Sequence, residues 1–284
     1  MTAAAIPLAP RARTGWGALP RGVKGALAVL GGIALAAAVA PLVAAPASEA
    51  MDLTLRRAAP SLAHWFGTDE LGRDVLARVL SGARVSLAIG LLSALLAVAL
   101  GAAVGTVAGY AGRWIDAALM RLTDAMLAIP RLPLLMIVAA ILQPSIPLLI
   151  VLVGAAGWME TARVVRAEVL SLAQRGFVEA AQATGVHGTR ILTGHILPNV
   201  LGTIAVSATL AVGRGILMES ALSFFGVGVQ PPAASWGNML YQAQTTLTSE
   251  PWLAIFPGMA IFVTVFCVNV VGEYLAHAGG GEGA

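Results

Sequence analysis

Apolar residues in this chain come in long unbroken runs rather than in the one-faced or alternating patterns of a soluble fold. Six segments reach the ~20 residues that a helix needs to cross a ~30 Å hydrocarbon layer: Gly25–Ala45, Val85–Tyr110, Ile115–Leu142, Ile146–Ala167, Val200–Phe224 and Trp252–Tyr274. The second is the cleanest, with no charge between Arg84 and Arg113. The third carries Arg121, Asp124 and Arg131 and is interrupted by Pro130 and Pro133. Such features are tolerated only where a helix faces protein or a wet cavity. Because the apolar runs are continuous, a transmembrane β-barrel is excluded. The pattern predicts an all-α, polytopic membrane protein with six transmembrane helices.

Composition agrees. Of 284 residues, 58% are hydrophobic and 11% charged, with mean hydropathy +0.85, against about 25% charged in a soluble domain. Cys267 is the single cysteine, so no disulfide forms within the chain. The formal charge of +3 is spread out and gives no stripe for nucleic acid. Lys24 is the only lysine and follows Val23, so the chain lacks a phosphate-binding loop ending in Gly-Lys-Ser/Thr. No spacing suggests a metal site, a cofactor or a catalytic triad; His64, His187 and His195 are scattered.

Orientation follows from Arg and Lys. With the N-terminus inside, the inner segments hold Arg11, Arg13, Arg21, Lys24, Arg113, Arg163, Arg166, Arg175 and Arg190, against Arg56, Arg57, Arg73, Arg78 and Arg84 outside, nine to five. Both termini are therefore expected in the cytoplasm. The expected order is a tail over 1–24, a first span over 25–45, an outer loop over 46–84, a five-helix core over 85–274 and a disordered Gly-rich tail over 275–284. The first span, preceded by cations and followed by Ala45-Pro46-Ala47, has some likeness to a cleaved signal peptide. Its apolar stretch exceeds the ~7–15 residues of a signal core, which favours a retained helix.

The inner loop 168–199 has helical character. Ala180, Ala181 and Ala183 favour helix, Gly185 suits the left-handed residue that ends one, and Pro198 can open the next. The result is a small-residue knuckle of two short helices around a tight corner, with Glu179 as one directional charge. Elsewhere, the outer segment Gly67–Asp74 reads as a surface helix with Thr68 or Asp69 as N-cap, in preference to a contact for an external delivery protein, and Trp236 and Trp252 read as interfacial aromatics.

Glu179-Ala180-Ala181, then Gly185, then Leu197-Pro198 at their spacing resemble the signature loop of ABC-importer permeases. His195 stands where that signature has Ile, and His195-Ile196-Leu197-Pro198-Asn199 is similar to the peptide-importer branch. So are Gly67–Asp74, Gly82–Leu87, Leu222–Pro232 and Ser235-Trp236-Gly237. Together these cover roughly His64 to Tyr274, and the chain resembles the C-type permease of the dipeptide/oligopeptide/nickel family. It departs at its end, where His277 and a Gly-rich stretch replace an acidic-basic tail.

The resemblance implies the type I ABC-importer permease fold. Its partners would be a homologous second permease, two cytoplasmic ATPase subunits or domains, and an extracytoplasmic substrate-binding protein. ATPase coupling would fall to Glu179, Ala180, Ala181, Gly185, Val186, His187, Leu197 and Pro198. The cargo it implies is dipeptides or short oligopeptides, with nickel or glutathione as alternatives. Charges within spans are costly, so Asp124, Arg131, Arg214 and Glu219 are candidates to line the translocation path; the plainer alternative is that they pair with one another or with the second permease, or lie near headgroups. Arg163 and Arg166 read as headgroup or interface anchors. A stand-alone secondary transporter would not need the knuckle and should show inverted repeats. An embedded enzyme would need a nucleophile, base or metal constellation. Neither pattern is visible.

Overall fold

The computed structural model describes residues 19–43, 48 and 50–280. Arg11, Arg13, the stretch Ala45-Pro46-Ala47 and residues 281–284 lie outside the described residues. Among those described the chain is helical, with only an isolated bridge between Thr68 and Asp74. The helices are α1 (Arg21–Val43), α2 (Val75–Ala111), α3 (Arg113–Ala128), α4 (Arg131–Leu142), α5 (Ile146–Ala155), α6 (Trp158–Ala173), α7 (Gly176–Ala183), α8 (Gly188–Ile191), α9 (Leu197–Phe224), α10 (Trp236–Ala243) and α11 (Trp252–Gly280). Five helical runs are long and apolar enough to cross a membrane, and the bent pair α3–α4 makes a sixth.

The bend between α3 and α4 is 80°. Pro130 causes it, because the residue before a proline is pushed out of the helical region; Ile129 sits at φ −80, ψ 126. Pro133 does no damage, since it lies in the first turn of α4, where a missing N–H has no helical partner to lose. The fourth span is also divided. A break at Ala156-Gly157 separates α5 from α6, which continues to Ala173 rather than ending at Ala167.

Helix α2 is the hub, packing against α1, α3, α5, α6, α9, α10 and α11. It begins at Val75, ten residues before the expected Val85, because the Asp74 carboxylate accepts from the Ala77 amide at 2.8 Å and caps it there. Its approach to α6 is set by Gly101, Gly105 and Gly109, one small residue per turn on one face. A Cβ on Gly101 would stand 2.5 Å from the Trp158 carbonyl oxygen, and one on Gly105 2.5 Å from that of Ala162. On Gly109 it would meet Val169 Cβ at 2.9 Å. Lipid gives two helices no hydrophobic reason to associate, so contact of this closeness is what holds them.

Several expected features resolve differently. Thr68 and Asp69 do not cap a surface helix: Asp69 is buried and accepts from the amides of Leu71 and Arg73, and from Arg73 Nε at 2.7 Å. The segment is a folded turn, and the cap is Asp74. Trp236 is not interfacial. It is 1% exposed, and its indole donates to the Val79 carbonyl at 3.0 Å. Trp252 is also partly buried, packed on the same core. The tail expected from residue 275 is helical as far as Gly280. Arg163 and Arg166, expected as headgroup or interface anchors, have protein partners in the bundle. Arg163 pairs with Asp124, and Arg166 Nη2 donates to Asp116 Oδ2 at 2.6 Å, so two ion pairs join α3 to α6.

Two outcomes follow from this packing. Gly105→Leu should lower both membrane abundance and the melting temperature of the detergent-extracted protein. Overpacking costs about 1–3 kcal/mol where neighbours can yield, and here the neighbour is backbone. Gly32→Leu should be silent, since nothing lies within 4 Å of that site. Equal behaviour of the two variants would remove the glycine seam as a determinant. For the ion pairs, Arg166→Asp should lower abundance, and adding Asp116→Arg should restore it, read by immunoblot of washed membranes.

Candidate functional site

Two groups of functional candidates emerge. The first is the knuckle. Helix α7 ends in paired bonds: Gly185 N–H donates to the Gln182 carbonyl at 3.0 Å and Val186 N–H to that of Ala181 at 3.2 Å. This is the Schellman closure, which needs a left-handed residue, and Gly185 has φ +77. Ala181 and Val186 pack beneath it on a buried base of Val165, Val169, Leu172, Val178, Ile191, Ile196 and Val200. The corner is tied to the hub helix by Tyr110, whose hydroxyl donates to the Gly188 carbonyl at 2.7 Å. The knuckle is thus fixed from below and bare above. Phe177, Glu179, Ala180, Ala183, Gly185 and His187 are exposed, and a Cβ on Gly185 would meet open space.

Beyond the corner, the expected pair of short helices is only half right. The four-residue α8 runs through a π turn over Leu192–Ile196 directly into α9. Pro198 occupies the first turn of α9, with Leu197 N–H reaching back to Leu192 O across the widened turn. Gly188 to Phe224 is one continuous rod, so the knuckle is built onto the end of a transmembrane helix. Leu197 is half-buried, and Pro198 and His195 are exposed.

The second group is charged. Arg131, opening α4, donates from Nη2 to Glu160 Oε1 at 3.0 Å. Arg214, midway along α9, places Nη1 2.7 Å from Glu160 Oε2. Of the four path candidates, the structure brings together Arg131 and Arg214. Asp124 stands apart with Arg163. Glu219 is wholly buried, accepting from Ser86 Oγ at 3.0 Å and Ser223 Oγ at 2.7 Å. Ser86 in turn accepts from the Trp236 amide at 3.1 Å, so Glu219 joins α2, α9 and the start of α10.

Sequence reasoning missed Glu160, the bridging residue. A carboxylate inside a span, two residues after Trp158, was a legible signal on the same grounds that singled out Asp124. It also missed Asp116 as the partner of Arg166, which nothing local in the sequence gives away.

Residues 101–278 match the family described as binding-protein-dependent transport system inner membrane component. The chain is 39% identical over 252 residues to the dipeptide transport system permease protein DppC of Alkalihalophilus pseudofirmus, covering 89% of this chain and 83% of that one. It is 40% identical over 230 residues to a putative peptide permease protein of Brucella suis, covering 80% and 76%. With the oligopeptide transport system permease protein OppC of Escherichia coli, identity is 39% over 260 residues, covering 91% and 86%. The helical bundle and the family match agree, and the chain belongs to the binding-protein-dependent transport system inner membrane components as a multi-pass membrane permease subunit.

Proposed function

We propose that this chain is one of two permeases in an ATP-driven importer of dipeptides or short oligopeptides, with the knuckle as its contact to a cytoplasmic ATPase. The observation that carries the reading is the build of the knuckle: a rigid corner, apolar beneath and bare on top, at the end of a transmembrane rod. Small side chains on the bare face let a partner's backbone approach closely, and Glu179 and Phe177 add one charge and one anchor. Movement of a docked ATPase at Gly185 would pass along the rod into the bundle without loss in a flexible linker. The peptide class is supported by the names of the three relatives, each called a dipeptide, oligopeptide or peptide permease.

In this reading both termini and the knuckle face the cytoplasm, in line with the excess of Arg and Lys on that side. A homologous permease completes the bundle around a central path lined by Arg131 and Arg214. An external binding protein delivers cargo, and ATP is hydrolysed on the partner subunits.

Topology is checked with single cysteines in a Cys267→Ala background. A cysteine at the exposed Thr248 should react with an impermeant thiol reagent added to intact cells, and one at the exposed Thr189 only after permeabilisation. The reverse pattern would invert the orientation.

Function is checked on the knuckle. Gly185→Val forces a β-branched residue to positive φ, a strain of at least ~1–2 kcal/mol, and thickens the bare corner. Peptide uptake and ATPase co-purification should fall more than tenfold with membrane abundance kept, and Glu179→Ala should weaken uptake less. Normal uptake by Gly185→Val, or loss matched by missing protein, would sink the coupling role.

A further inference from the structure

The Arg131–Glu160–Arg214 cluster is unbalanced. Two guanidinium groups share one carboxylate, and both of its oxygens are engaged. Each guanidinium has five N–H donors in a fork that suits a carboxylate, so donors remain free on both. One net positive charge facing acyl chains would cost ~2.5–3.5 kcal/mol or more. Yet the Arg214 side chain is 41% exposed, so this face meets water or another polar surface. Beside it is a small open cleft lined by both arginines, by the small residues Ala94, Ala97, Gly157, Ala211 and Gly215, and by Ser93, Val153 and Met218. An open cleft, spare donors and uncompensated charge coincide.

We propose that this cluster is a transient binding site for a carboxylate of the cargo. One carboxylate neutralises the cluster, taking the free donors of Arg214 and Arg131 and drawing both guanidinium groups away from Glu160. The cargo carboxylate thereby loosens a clamp that joins the first turns of α4 and α6 to the middle of α9. Because α9 is continuous with the knuckle, cargo and ATPase would act on the same rod. The proposal rests on reading the chain as a permease of organic cargo.

The test uses the complete importer in membrane vesicles, with Cys267→Ala and a reporter cysteine at Met218, which lines the cleft. Modification by an anionic methanethiosulfonate reagent should be about tenfold faster than by its cationic counterpart, the scale of one nearby unit charge at intermediate dielectric. Arg214→Gln should abolish that preference and Arg214→Lys should keep it, with Arg131→Gln as the second neutralising variant should Arg214→Gln fail to accumulate. A dipeptide with a free C-terminal carboxylate should slow the anionic reagent, and its C-terminal amide should not. Equal rates for the two reagents, no reaction with either, a preference that survives neutralisation, or equal protection by acid and amide would each overturn the site. Peptide uptake by the same vesicles without the neutralising changes is measured in parallel. Its absence would count against the permease reading, whereas normal uptake with no charge preference would defeat the carboxylate site alone.

Discussion

Contact between α2 and α6, backbone almost on backbone along Gly101, Gly105 and Gly109, is the constraint on which the remaining arrangement depends. In lipid, burying leucine against leucine gains little, because acyl chains are equally apolar. What remains is dispersion at close range, and only residues without a side chain allow it. Once α6 is pressed against α2, the positions of Glu160, Arg163 and Arg166 are fixed. So is the apolar base of Val165 and Val169 on which the knuckle sits.

Helix α6 then organises the charges of the bundle. Glu160, Arg163 and Arg166 are spaced by three residues, which keeps them within about a third of the helix circumference. Each finds an opposite charge on a neighbouring helix: Arg131 and Arg214 for Glu160, Asp124 for Arg163 and Asp116 for Arg166. Pairing between helices lowers the cost of each charge and gives register to surfaces that are otherwise interchangeable stripes of Leu, Val and Ala. Glu219 does the same with serines, accepting from Ser86 on one helix and Ser223 on its own.

The knuckle adds a different kind of rigidity. A Schellman closure, a buried aliphatic base and the Tyr110 bond leave it little freedom. The π turn at Leu192–Ile196 lets the helix pass Pro198 without a break. The proposed coupling role would draw on this rigidity, since a corner that yielded under load would dissipate any movement passed to it.

The six apolar segments, the break before Pro130 and the left-handed Gly185 were all legible in the sequence. Each is dictated by local chemistry: chain length against bilayer thickness, the steric effect of a proline on its predecessor, and the absence of a Cβ. The spacing of Glu179, Gly185, Leu197 and Pro198 likewise marked out the segment that forms the knuckle. Tertiary structure decided the rest, for reasons that are not local. Whether Trp236 lies at an interface or in the core depends on Val79, far away along the chain. Asp69 turns inward rather than capping a helix because Arg73 and Arg78 are buried beside it. Above all, the sequence marks which residues bear charge inside the membrane but not which will meet. That Arg131 and Arg214 share Glu160, while Asp124 and Glu219 do not join them, is set by how far the glycines of α2 let α6 approach, a distance that exists only once the helices pack.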